Sequence, residues 1–188
     1  MRPLVFILAG AVALASAGPS VRAQQQRAPL PASGSQPLSQ ADLDALLAPI
    51  ALYPDALIAQ IVQCAGSPYQ VKQVSDWLHQ NPDLKGTAAQ DAASQQGFDA
   101  SFIAIVLFPD VVHMMAQKPD WTRQLGDAFR TDQDAVFASI QRLRTQAQNV
   151  GNLKSTDQQN VQTVTTSAGQ QVIVIEPANP QIVYVPQY

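Results

Sequence analysis

Two prolines divide the segment Leu46 to Val62, LLAPIALYPDALIAQIV, the longest almost wholly apolar run after the N-terminal residues. Proline lacks a backbone N–H and has a fixed φ. It breaks a continuing helix but suits the first helical position, where that donor has no intrahelical partner anyway. An aspartate directly after it meets the positive end of the helix dipole. Pro54-Asp55 therefore predicts the start of a buried helix through Leu57, Ile58, Ile61 and Val62, stopped by Gly66. A chain punctuated in this way is restricted to short helices that turn on one another around a shared interior.

The same punctuation recurs. Ser39 with Asp42 three residues on resembles a capping box, with Asp in place of Glu, ahead of Leu43, Leu46 and Leu47. Pro68 opens a helix with Val71, Val74, Trp77 and Leu78 at helical spacing. Asn81-Pro82-Asp83 predicts a cap followed by proline at the first position, and Thr87 to Gln95 a weak alanine-rich helix. Phe102 to Leu107 is a second apolar run, after which Phe108-Pro109-Asp110 restarts a helix through Val111, Val112, Met114 and Met115. Pro119-Asp120 starts one more, with Trp121, Leu125, Ala128 and Phe129. In the last helix, Asp132 to Val150, an apolar stripe joins Phe129, Val136, Ile140, Leu143, Ala147 and Val150, and Gly151 follows as the C′ residue. Leu52-Tyr53-Pro54-Asp55 and Leu107-Phe108-Pro109-Asp110 echo each other, which predicts two similar helical corners.

After Gly151 the pattern changes. Val161 to Thr166 is rich in β-branched residues, Ser167 to Gln170 reads as a turn, and Val172 to Ile175 as a strand, so a hairpin is predicted. Ile182 to Val185 is a third extended segment. The predicted fold is α+β, mainly α: a compact bundle of short helices over 38–151 with a small C-terminal antiparallel β element over 152–188 packed on the same domain.

Met1-Arg2 is a short positive start, Leu4 to Ala17 an apolar core of signal-peptide length, and Ala15-Ser16-Ala17 and Val21-Arg22-Ala23 are small-x-small sites. Residues 1–23 read as a signal peptide, cleaved after Ala23 or Ala17, and residues 24–37 as a disordered linker rich in Gln, Pro, Ala and Ser. The expected location is periplasmic or secreted, with no transmembrane segment after cleavage. Loss of Arg2 and Arg22 takes the formal charge from −3 to −5. With no basic run anywhere, nucleic acid is not an expected partner. Charged residues make up 13% of the chain, against about 25% in ordinary globular domains.

LLAPIALYPDALIAQIV, DWLHQNPDLKG, FPDVVHMM, IQRLRTQAQNVGNLKST and IEPANPQIVYVPQY, in that order, resemble the exported bacterial domain of unknown function family numbered 3300. The resemblance covers Leu38 to Tyr188. It implies a secreted or periplasmic protein, often continued into a low-complexity tail, with no established activity or catalytic residues.

Asp76 with His79, and Asp110 with His113, are three apart and so share helix faces. A carboxylate and an imidazole from each of two helices is a donor set that suits zinc. Asp110 already has a task at a helix start, however, and two capping aspartates with two partly exposed histidines account for the same residues. No metal, cofactor or catalytic residue is assigned. Cys64 reads as a buried, inert thiol, since no neighbour in sequence lowers its pKa. No Gly-x-Ser-x-Gly elbow or phosphate-cradling glycine loop is present. Tyr53, Trp77, Phe108 and Trp121 read as core, with a binding groove as the rival. Ile182, Tyr184 and Tyr188 are the candidate partner-binding residues, on an extended segment suited to strand pairing. The reading that follows is a noncatalytic envelope module that binds an envelope protein or polymer. A hydrolase of an envelope polymer, metal-assisted or not, is the alternative.

Overall fold

A computed structural model of the chain describes residues 38–179. Among these, eight helices precede one hairpin: α1 (Gln40–Leu47), α2 (Asp55–Ala65), α3 (Pro68–Gln80), α4 (Gly86–Gln95), α5 (Ala100–Ile105), α6 (Pro109–Gln117), α7 (Pro119–Thr131) and α8 (Gln133–Asn149), then β1 (Gln159–Thr165) and β2 (Gln171–Pro177). The architecture is the mainly α arrangement that the punctuation predicts, with a two-stranded antiparallel sheet at its C-terminal end. The expected third extended segment, Ile182 to Val185, lies outside the described residues.

Most helix starts follow the predicted chemistry. Pro68, Pro109 and Pro119 each occupy the first turn of their helix, and Ser39 accepts from the Asp42 amide at 3.2 Å. Pro54 sits one place earlier, as the N-cap, with Asp55 as the first helical residue. The two echoing corners are built alike: Tyr53 N donates to Ile50 O at 3.0 Å and Phe108 N to Ile105 O at 2.9 Å. Asn81 departs from expectation. It ends α3 and starts no helix. A residue before proline is pushed out of the α region, and the Asn81 amide donates back to Trp77 O at 2.8 Å. The next helix begins only at Gly86, whose φ of 54° lies where glycine is favoured.

The main core gathers Leu47, Ile50, Ile61, Val71, Val74, Ile105, Met115, Leu125 and Val136, with Cys64 fully buried among them. Helices α2 and α7 approach so closely that a Cβ on Gly126 would stand 2.4 Å from Ala65 O. The stripe on α8 is buried at Val136 and Ile140, but Val150 is 70% exposed. The reason is the helix terminus. Gly151, at φ 80°, makes a Schellman turn in which Gly151 N reaches Gln148 O and Asn152 N reaches Ala147 O. That turn sends the chain back so that Leu153 is buried in a second cluster with Ile173 and Ile175.

The hairpin reverses through Thr166 to Gln170. Gly169, at φ 80°, donates to Thr166 O at 2.9 Å, as a three-residue loop with a left-handed glycine requires. One edge of β2 faces the helices. Its groups there are met by side chains: the Gln141 amide accepts from Ile173 N at 2.7 Å and donates to Ile173 O at 3.1 Å, and Asp55 accepts from Ile175 N at 3.3 Å. Arg144, 1% exposed, completes this seam. It donates to Ala51 O at 2.8 Å, Ile173 O at 2.7 Å and Tyr53 O at 3.0 Å, and pairs with Asp55 at 2.5 Å.

Two stability predictions follow from these contacts. Alanine at position 126 gains intrinsic helix propensity of about 1 kcal/mol, but its methyl runs into backbone, where relief is costly. Gly126→Ala is therefore expected to destabilise by about 1–3 kcal/mol in urea unfolding; an equal or higher midpoint would show that α2 and α7 are not packed this closely. Arg144→Met keeps the side-chain length and removes every donor. It strands the Ala51 and Tyr53 carbonyls, while Asp55, 44% exposed, keeps water and the Ile175 N–H, and a loss of roughly 3 kcal/mol is expected in urea unfolding.

Candidate functional site

The C-terminal turn of α3, the Asn81–Lys85 connection and the start of α6 enclose a recess of about 270 Å³. Leu78, Leu84, Val106 and Leu107 supply apolar wall, while His79, Lys85, Asp110 and His113 supply polar groups. The recess exists because two proline-driven breaks, at Pro82 and Pro109, turn the chain at the same level of the bundle.

Ser75, buried in α3, organises the two imidazoles. His79 Nδ1 lies 2.9 Å from Ser75 O and donates to it. His113 Nδ1 lies 2.8 Å from Ser75 Oγ. The ring centroids are 3.9 Å apart with planes tilted by 42°. Burial holds the His113 pKa below its ordinary value, the neighbouring His79 pushes it the same way, and Asp110 opposes both. His113 is thus kept neutral at pH 7. Ser75 and His113 have the spacing of a nucleophile and its base, but Ser75 is 5% exposed and does not line the recess, so its hydroxyl is closed to a substrate there.

The proposed zinc-type quartet is not assembled. His79 and His113 do meet, and Asp110 lines the same recess. Asp76 is directed elsewhere and pairs with Lys72 at 2.8 Å on the exposed side of α3. Among the described residues no group of three His, Cys, Asp or Glu side chains is placed to hold a metal ion. Ser75 was absent from the sequence reading. Its position four before His79 was a visible signal, but its bond to α6 was not.

The four weighed aromatics pack inward. Tyr53 is buried, Trp77 meets Phe98 edge-on at 5.6 Å, Phe108 packs on the core, and Trp121 donates to Leu46 O at 2.9 Å. None of them lines the recess beside His113. Ile182, Tyr184 and Tyr188 lie outside the described residues.

A family model described as "Protein of unknown function (DUF3300)" matches residues 39–188. The chain belongs to the DUF3300 family. It is similar to the uncharacterized protein YacH of Escherichia coli (strain K12), with 40% identity over 185 residues. That alignment takes in 84% of this chain and 30% of YacH, so the chain spans under a third of that relative. No solved structure matches. In this DUF3300 protein no helix among the described residues is long and apolar enough to cross a membrane.

Cys64 is the remaining potential nucleophile. It is fully buried in α2, and burial pushes its thiol up to about 12, a hydrogen bond from Ser101 pulling weakly the other way. At pH 8 the native protein is therefore expected to react with a thiol reagent such as DTNB only through opening of the fold, whereas the urea-unfolded chain reacts at once. Rapid labelling of the native protein would contradict the burial of α2.

Proposed function

We propose that this DUF3300 protein is exported and serves as a binding module of the cell envelope, with an envelope protein or polymer as its partner. The observation that carries the export reading is the N-terminal order: Met1-Arg2, the apolar stretch Leu4 to Ala17, and a small-x-small site ending at Ala23. Binding is favoured over catalysis by the character of the recess. Its apolar walls and polar rim suit the insertion of a partner side chain, and the hydroxyl–imidazole contact beside it, Ser75 to His113, is closed off between α3 and α6. A second contact region is proposed on the extended segment Ile182 to Tyr188, whose β-branched and aromatic residues suit pairing with a partner strand.

The reading makes two separable claims. Expression of the full chain in a Gram-negative host is expected to yield a shorter mature form in the periplasmic fraction, beginning at Gln24. Cross-linking in the intact envelope should then give saturable, specific adducts. Deletion of Ile182 to Tyr188 should reduce them, and so should Leu107→Asp at the rim of the recess. Retention of the intact chain in the cytoplasm would remove the export reading. Adducts unchanged by either alteration would remove the assigned surfaces.

A further inference from the structure

The most closely joined pair of helices outside the Arg144 seam is α3 and α6, and the bond between them at the recess runs through ionisable rings. His79 is exposed, His113 is half-buried, and both Nδ1 atoms are engaged by the single residue Ser75. Their centroids lie 3.9 Å apart with the planes tilted by 42°. As two imidazolium ions they would be like charges at that distance, one of them partly desolvated.

The charges around the pair do not offset this. On α3, Asp76 is already tied to Lys72. The connection into α4 contributes Lys85, a further positive charge on the recess wall, and α6 contributes Asp110. On α7, which packs against both helices, Asp120 pairs with Arg123 and Asp127 with Arg130. Ahead of α5, Asp99 accepts from Gln70. Asp110 is the carboxylate that lines the recess with the two rings and Lys85, while Asp83, exposed in the same connection, does not line it.

We propose that His79 and His113 form an acid-released clasp on the α3–α6 seam, closed while the rings are neutral and opened when both are protonated, which uncovers the buried part of the recess wall at Leu78 and Val106. The clasp is a property of the seam and stands apart from any partner. In a compartment that follows the external medium, acidification alone would operate it. Its sign follows from linkage. The open seam binds protons that the closed one resists, so closure is at full strength above the ordinary histidine range and weakens as pH falls through it.

The test uses the full chain at pH 7.5, 6.5, 5.5 and 4.8, following both histidine rings by NMR and the α6 amides Val111 to Met115 by hydrogen exchange corrected for intrinsic rate. The opening constant of α6 is expected to rise up to about tenfold per pH unit for each proton taken up. His79→Gln replaces an exposed ring and preserves folding. In that variant His113 should titrate at higher pH and α6 exchange should lose much of its pH dependence. His113→Gln keeps an amide for Ser75 and should make α6 exchange nearly independent of pH. The proposal is overturned if α6 protection in the wild type does not change across this range. It is equally overturned if the His113 titration is the same with and without His79.

Discussion

One guanidinium holds the two parts of this fold together. Arg144 is the largest fully buried side chain among the described residues, and it is charged. Burial pulls its pKa down, and Asp55 beside it pushes the other way. Taking such an ion out of water costs several kcal/mol, so the site is tenable only if the fork of donors is filled. All three of its nitrogens are engaged, by three backbone carbonyls and one carboxylate drawn from the connection between α1 and α2, from the start of α2 and from β2. A lysine has no such planar fork and would satisfy at most part of that set. The geometry of the connection at Ala51 and Tyr53, the entry of α2 and the docking of the hairpin are therefore one problem with one solution.

The same seam deals with an otherwise hazardous edge. A two-stranded sheet has two open sides, each able to recruit another chain. On β2 the inward side is read by Gln141, Asp55 and Arg144 as a neighbouring strand would read it, with donors and acceptors in register at Ile173 and Ile175. On β1, Ser155 closes Val161 by accepting from its N–H at 2.9 Å and donating to its carbonyl at 3.2 Å. Side chains rather than strands thus meet the sheet edges at Ile173, Ile175 and Val161, and a hairpin too small to be stable alone becomes part of the helical domain.

How much of this was legible in the sequence depends on range. Proline, aspartate and glycine act within a few residues, so the helix starts at Pro68, Pro109 and Pro119 and the turn at Gly151 could be read directly. Asn81 was misread because a non-helical asparagine before proline fits a helix end as well as a helix start, and here its side-chain amide bonds back to Trp77 O and closes α3. Val150 failed because the Schellman turn substitutes Leu153 for it. Arg144 carried a signal that was passed over. Val136, Ile140 and Arg144 are spaced by four along α8, which places the arginine on the buried face. What buries it, however, lies some ninety residues away in sequence. At the recess, the equally spaced pairs Asp76–His79 and Asp110–His113 were visible, but which of them would meet was decided by Ser75 and the packing of α3 on α6.

The two echoing corners show how identical local grammar serves different ends. Tyr53-Pro54-Asp55 and Phe108-Pro109-Asp110 make the same tight turn into a helix, and each puts a carboxylate near a helix start, where the dipole favours it. The frames differ by one residue, since Pro54 precedes its helix while Pro109 is inside the first turn. That offset rotates the following aspartate by about a hundred degrees around the helix axis. Asp55 reaches the buried arginine and the edge of β2, while Asp110 lines the recess beside His113. The first corner has spent its charge on holding the fold together. The second has left its charge at a surface where it meets ionisable partners, because α2 packs beside β2 and the α6 start opens on the recess.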